Sequence, residues 1–171
     1  VFYELIRFNA RDADRFVDQA SRYLDAAPST DMVRVSLAAH APYSVAPLVF
    51  RAIRRAMDRR PLVPCSVHLA ESAEEVAFIA RGEGPWRQFL EERGAWDDTW
   101  RAPGVSPVRY LDESGFLHGR VLAVHGVQMS NDDLARLAGL PGKLGVGGAG
   151  VWDAYQAGRL AEIRNYCEAD V

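Results

Sequence analysis

Histidine, cysteine and long apolar runs are all scarce in this sequence. Its 171 residues include four histidines and two cysteines, Cys65 and Cys167. Two cysteines so far apart match no metal-ligand spacing and are too few for a disulfide framework, so a disulfide-stapled secreted domain is excluded and a reducing cytoplasm fits. No apolar run comes near the roughly 20 residues that cross a bilayer, and the chain lacks the basic-then-apolar opening of a signal peptide. Excess charge is missing too. The formal net charge is -3, which gives no general attraction for nucleic acid or an anionic membrane. Arg51, Arg54, Arg55, Arg59 and Arg60 make a local basic group whose spacing reads as the solvated side of a helix. The balance of 49% hydrophobic and 25% charged residues is that of a globular protein, and the length suits one domain with a core. The first residue is Val rather than Met and the chain opens directly on the strand-like VFYELIRF, so it reads as part of something longer.

Four β-rich runs, over residues 1–8, 33–39, 63–70 and 120–127, alternate with helical patterns. Strand–helix alternation implies parallel pairing. Between the first two runs, Phe16, Val17, Ala20, Tyr23 and Leu24 recur at helical spacing. The next helix is expected to take Ser44 as its cap, keep Leu48, Ile53 and Met57 near one face, and stop at Pro61. SAEEVAFIARGEG then starts on Ser72 with acids in its first turn, and a further helix covers about 85–93. After a loop rich in proline and glycine, SPVRYLDESGFL gives a short helix, and SNDDLARLAG has Ser130 or Asn131 as cap and Gly139 as stop. Residues 138–150 are a glycine-rich linker by composition, and 151–171 read as short helical pieces with no fifth strand.

Three of the four histidines finish predicted parallel strands: His40 after VRVSLAA, His68 after CSV and His125 after VLAV. In parallel α/β folds the loops beyond the carboxyl ends of the strands form the active face, so imidazoles delivered there by neighbouring strands can converge. Rigid strands hold metal ligands better than loops do. His118 precedes its strand and reads as structural. Glu71, just past His68, is placed to move a proton between water and a leaving group. Glu74 and Glu75 read as acids that favour the helix start. Trp86, Trp96, Trp100 and Tyr110 could line a pocket, although large aromatics beside a helix pair are more often core.

The strings AAHAPYSVAPLVFRAI, SVHLAESAEEVAFI, GPWRQFLEERGAW, SPVRYLDESGFL and VLAVHGVQMSNDDLARLA together resemble the metal-dependent amidohydrolase superfamily, on the branch of chlorohydrolases and deaminases of adenosine-like compounds. The resemblance covers about residues 1–137. It implies a partial (β/α)8 barrel with about four parallel strands and flanking helices, followed by the Gly-rich linker and a short helical tail. It also implies hydrolysis of a C–N or C–Cl bond on a small heterocyclic substrate by metal-activated water. On that likeness His68 is a metal ligand for zinc or another divalent metal, Glu71 is the proton shuttle, His125 polarises or orients the water and substrate, and His40 contacts substrate. The His-x-His pair of the first barrel strand and the aspartate of the last are missing, so the implied metal site is incomplete in this chain.

The tail, LPGKLGVGGAGVWDAYQAGRLAEIRNYCEADV, resembles the closing part of predicted 3′-5′ exonucleases related to the proofreading domain of family-B DNA polymerases, with Tyr166 and Asp170 matching the last motif. The earlier carboxylates of such a two-metal site are absent, and the acidic balance argues against a nucleic-acid partner. A non-catalytic chimeric or truncated scaffold is therefore an alternative to a hydrolase, and an exonuclease fragment a second. Four parallel strands leave two open edges, which a homo-oligomer or the tail is expected to cover.

Overall fold

The computed structural model describes residues 1–9, 11–27, 30, 32–139 and 155–161. Contacts within the chain divide it into two compact units, Val1–Gln128 and Met129–Val171. The first holds a four-stranded sheet in the order β1-β2-β3-β4, with β1 Phe2–Leu5, β2 Ser36–Ala39, β3 Cys65–Leu69 and β4 Val121–His125. All pairs are parallel, as the alternation of strand and helix requires. The strands are shorter than the apolar runs that announce them, because the flanking residues turn into the connecting loops. Among the described residues the outer edges of β1 and β4 have no strand partner.

Helices α1 Ala13–Ala26, α2 Pro47–Asp58, α3 Ala73–Arg81, α4 Pro85–Glu92 and α5 Pro107–Glu113 flank the sheet in this unit. In α2 the buried face is Val49, Phe50, Ala52, Ile53, Ala56 and Met57. Leu48 lies on the other side, 47% exposed, because the stripe of that helix is set by the pairs at 49/53 and 52/56. Tyr23 of α1 is likewise exposed, while Val17 and Ala20 are buried. The expected serine cap of α2 is also corrected. Ala46 occupies the cap with no side-chain bond and Pro47 opens the first turn, where its fixed φ suits a helix and its missing N–H is no loss. Ser44 is engaged elsewhere, as described below.

Phe50, Phe78 and Phe116 are fully buried. Each is worth about 2–3 kcal/mol of burial. A second aromatic group joins Phe8, Phe78, Trp96 and Trp100, with Phe78 and Trp100 stacked at 4.8 Å. Trp100 and Tyr110 are buried, as expected of core aromatics. Arginines of α2 and of the two residues after it form ion pairs: Arg54 with Asp58, Arg55 with Asp14, Arg59 with Asp18 and Arg60 with Asp25. Three of these tie α2 and its C-terminal end to α1. Exposed pairs of this kind contribute about 0–1 kcal/mol each, so the apolar contact between the helices carries the packing.

In the second unit α6, Asn131–Leu137, opens on a capping box in which Ser130 and Asp133 exchange hydrogen bonds. Most of the glycine-rich linker and of the tail, Tyr166 and Asp170 included, lies outside the described residues. No helix among the described residues is long and apolar enough to cross a membrane.

Candidate functional site

The register of the sheet decides what meets at its carboxyl end. Glu4 is level with Ala38, and Ala38 with Ser66. His40 and His68 lie two residues further on, so the two-residue alternation of a strand puts Glu4, His40 and His68 on one face. Leu5, Ala39, Val67 and Leu69 take the opposite face and are buried. The rings of His40 and His68 have centroids 5.4 Å apart in an edge-on arrangement.

His125 breaks that alternation. Its register partner is Leu69, which belongs to the buried set, yet its ring centroid is 5.0 Å from that of His68. The backbone supplies the reason: His125 has φ 76°, in the left-handed region that a side chain rarely adopts. Ala70, one residue past that partner and just beyond β3, has φ 52°. Two such residues side by side, each costing about 1–3 kcal/mol, mark a site over-determined by its surroundings. Hydrogen bonds from Gly126 N to Leu69 O at 3.0 Å and from Gln128 N to Ala70 O at 2.8 Å fasten the two turns together.

The carboxylates follow. Glu71 Oε1 is 3.5 Å from His125 Nε2, and Glu4 Oε1 is 3.2 Å from His68 Nε2. Glu75 differs from the helix-start acid expected of it. It is fully buried, and its two carboxylate oxygens accept from Ala70 N and Glu71 N, each at 2.9 Å. Ser72 caps α3 by accepting from Glu75 N. The spacing Ser-x-x-Glu at 72–75 is the sequence signal for such a pairing, with the carboxylate here reaching one and two residues further back than the cap residue itself. Burial pushes the Glu75 carboxyl up, and the amides of Glu71 and Ala70 pull against it.

His40 is held from the other side. Its Nδ1 lies 2.6 Å from Ser44 Oγ, and Ser44 Oγ donates to Ala41 O at 3.3 Å. The serine hydroxyl has one proton, so it accepts from His40 Nδ1–H and leaves Nε2 as the ring's lone pair. Burial lowers the pKa of His40 below 6.5, with Glu4 and Glu71 opposing and His68 reinforcing the shift. A lowered folded value stabilises the fold fully above the ordinary histidine range, and that contribution is lost as pH falls through the folded value. Urea unfolding at about pH 7.5 and about pH 5 should therefore show acid destabilisation that is smaller in His40→Asn. His118, lowered by burial and by Arg54 and Arg120, adds a dependence of the same sign, so His118→Asn separates the two. An acid dependence untouched in both variants would contradict this.

Beside Glu71 a cavity of about 550 Å³ is lined by Tyr43, Glu71, Ser72, Glu74, Pro85, Trp86 and Phe89. Tyr43 and Trp86 stack at 3.9 Å with planes 11° apart, so Trp86 is a cavity wall rather than a core residue. The Tyr43 hydroxyl is pushed up to about 12 by burial and by the nearby carboxylates of Glu71, Glu75 and Glu4, and it stays a hydrogen-bond donor. Cys65 is buried, its thiol pushed up to about 11 by burial, and it has no nucleophilic role here.

Over 112 residues the chain is 34% identical to the aminodeoxyfutalosine deaminase of Deinococcus radiodurans, a match covering 62% of this chain and 27% of that protein. It is 23% identical over 135 residues to the 5-methylthioadenosine/S-adenosylhomocysteine deaminase of Pyrococcus furiosus, covering 79% of this chain and 26% of that one. Its relatives are deaminases. Among solved structures, the aminofutalosine deaminase of Helicobacter pylori has a TM-score of 0.64 at 23% identity, over 81% of this chain and 34% of that one. An adenosine deaminase from Xanthomonas campestris with bound zinc has a TM-score of 0.56 at 23% identity, over 81% and 28%. The sheet and its helices are thus a partial (β/α)8 barrel, and the chain spans about a quarter of the length of these curated relatives, 27% and 26%. Residues 109–171 match the family described as a predicted 3'-5' exonuclease related to the exonuclease domain of PolB. That match begins inside α5, so it overlaps the barrel segment as well as the tail.

Of the ligand set that the resemblance implies, the chain supplies His68 alone. The structure nonetheless brings three donors together: among the described residues, Glu4, His40 and His68 each offer a ligand atom within 4.8 Å of the others. Glu4 escapes a sequence reading because an acid in an edge strand looks like an ordinary solvent-facing residue.

Proposed function

We propose that residues 1–128 carry the proton-transfer face of a metal-dependent hydrolytic deaminase acting on a purine-nucleoside-like heterocycle. The observation that supports this most is the pairing of Glu71, which lines the aromatic cavity, with His125 at 3.5 Å. Deamination names on the relatives favour breaking C–N over C–Cl. A divalent metal held through His68 would supply acidity to the attacking water. The other work falls to the chain. The Tyr43–Trp86 stack presents a flat apolar wall for the heterocycle. Glu71 accepts a proton from water as its oxygen adds to the ring carbon, then delivers that proton to the departing amine nitrogen. His125, held by its left-handed backbone and in contact with Glu71, orients the water. His40, its ring 5.4 Å from that of His68, has no hydrogen bond to Nε2 among the described residues, which suits it to a substrate N–H or to a cation.

The open edges of β1 and β4 are where further strands of a closed barrel, or those of a second copy, would pair. The decisive assay is ammonia release from 5'-deoxyadenosine, 5-methylthioadenosine and aminodeoxyfutalosine by the purified protein with added zinc. Release from at least one is expected; none from any overturns the reading. The exonuclease likeness supports a second reading, for which magnesium-dependent shortening of single-stranded DNA is the measurement.

A further inference from the structure

We propose that Glu4, His40 and His68 form a three-ligand site for a zinc-class divalent cation, different from the ligand set that the resemblance implies. The site does not depend on deamination taking place, since it stands on the register of β1, β2 and β3 alone.

Three features carry it. First, the alternation of the strands points all three side chains to one face, on rigid elements that hold ligands well. Second, the spacing suits zinc. With bonds of about 2 Å, tetrahedral ligand atoms lie about 3.3 Å apart. Glu4 Oε1 and His68 Nε2 are already 3.2 Å apart, and the His40 donor lies within 4.8 Å of both. Third, His40 has the support that ligating histidines take. Its Nδ1–H is given to Ser44, which fixes the ring and turns the lone pair of Nε2 outward. His68 Nδ1 is buried with no partner among the described residues, so the polar anchoring of that ring rests on the contact with Glu4.

Two imidazoles, which are borderline donors, outnumber the one hard carboxylate, so the set suits zinc and cobalt better than magnesium or calcium. Three protein ligands leave a fourth position for water, the arrangement of a catalytic rather than a structural zinc. His125 is excluded from the ligand set; it contacts Glu71 instead.

The test is titration of the full chain with zinc against a chromophoric chelator, and with cobalt followed by its visible absorption. One zinc per chain is expected, with a cobalt spectrum of a four-coordinate site. Glu4→Gln, His40→Asn and His68→Asn should each weaken zinc binding by more than about 100-fold, and Ser44→Ala by about 10-fold through the loss of ring support. His125→Asn should leave the affinity unchanged. Circular dichroism checks folding. If a histidine variant fails to fold, Glu4→Gln, which alters one atom on an exposed edge strand, decides. The absence of stoichiometric zinc overturns the proposal. So does zinc binding that survives Glu4→Gln but is lost in His125→Asn. Zinc bound through Glu4 without ammonia release would sink the deaminase reading and leave this one standing.

Discussion

Glu71→Gln should lower the turnover number for ammonia release by about 10²–10⁴-fold, the range for loss of a general acid–base, while KM changes little. Glutamine keeps the shape of the side chain, so the cavity wall and the contact with His125 survive. What it cannot do is take a proton from water and hand it to the amine. The loss therefore falls on the chemical step. Zinc affinity should be retained in the same variant, because Glu71 is not among the three grouped ligands. Steady-state kinetics with the best of the nucleosides, set beside the zinc titration, make the check. A rise in KM with turnover intact would mean that Glu71 only binds substrate and that the proton is carried elsewhere.

Much of the fold could be read from the chain. Four apolar runs alternating with helical patterns gave four parallel strands, and the histidines stood out by position, three of them at strand ends. Details governed by longer-range geometry could not be read. Ser44 looks like a helix cap because serine is a good one, yet its hydroxyl is worth more to the structure on His40 Nδ1, and proline at the first helical position needs no cap. Glu4 becomes interesting only once register places it level with Ala38, two residues before His40. His125 would face away from the other histidines if its strand continued regularly. The left-handed residue that swings it back belongs to the folded chain alone, although Gly126 after it hints at a turn.

The same limit hid Glu75. By local pattern it is one of two acids in the first turn of α3, interchangeable with Glu74; in three dimensions the pair separate completely, Glu74 on the cavity rim and Glu75 fully buried. An acid with no water around it is kept for the bonds it makes. Those bonds end on the two amides that follow β3, where Ala70 adopts its left-handed turn and the chain is aimed so that Glu71 meets His125. Glu75 is thus a positioning residue for Glu71. On the proposed function, the cluster of acids after His68 has a division of labour: Glu71 to move a proton, Glu75 to hold the backbone that presents it.

Glu75→Ala should then destabilise the first unit by roughly 3 kcal/mol, since two amide donors lose a charged acceptor and the buried Ala70 N–H is left without water to replace it. Relief of the buried carboxylate offsets part of this, which is why the estimate stays below the sum of two full penalties. Glu75→Gln is the sharper comparison. Its volume is the same, but its amide nitrogen must face one of the two N–H donors, so about half the loss should remain. Because burial raises the folded pKa of Glu75, its own contribution is greatest below the ordinary carboxyl range and declines as pH rises through the raised value, so the gap between the parent and Glu75→Gln should narrow in that direction. Ala70→Gly supplies the cross-check. Glycine removes the left-handed penalty of about 1–2 kcal/mol. Placed in the Glu75→Ala background, Ala70→Gly should recover about 1 kcal/mol of stability in urea unfolding, because the strain that Glu75 held in check is gone. It should not recover turnover, because a glycine turn no longer dictates where Glu71 points. Full stability in Glu75→Ala, or turnover restored by the glycine, would show that the turn after β3 sets its own shape and that the buried carboxylate has no part in aiming the proton carrier.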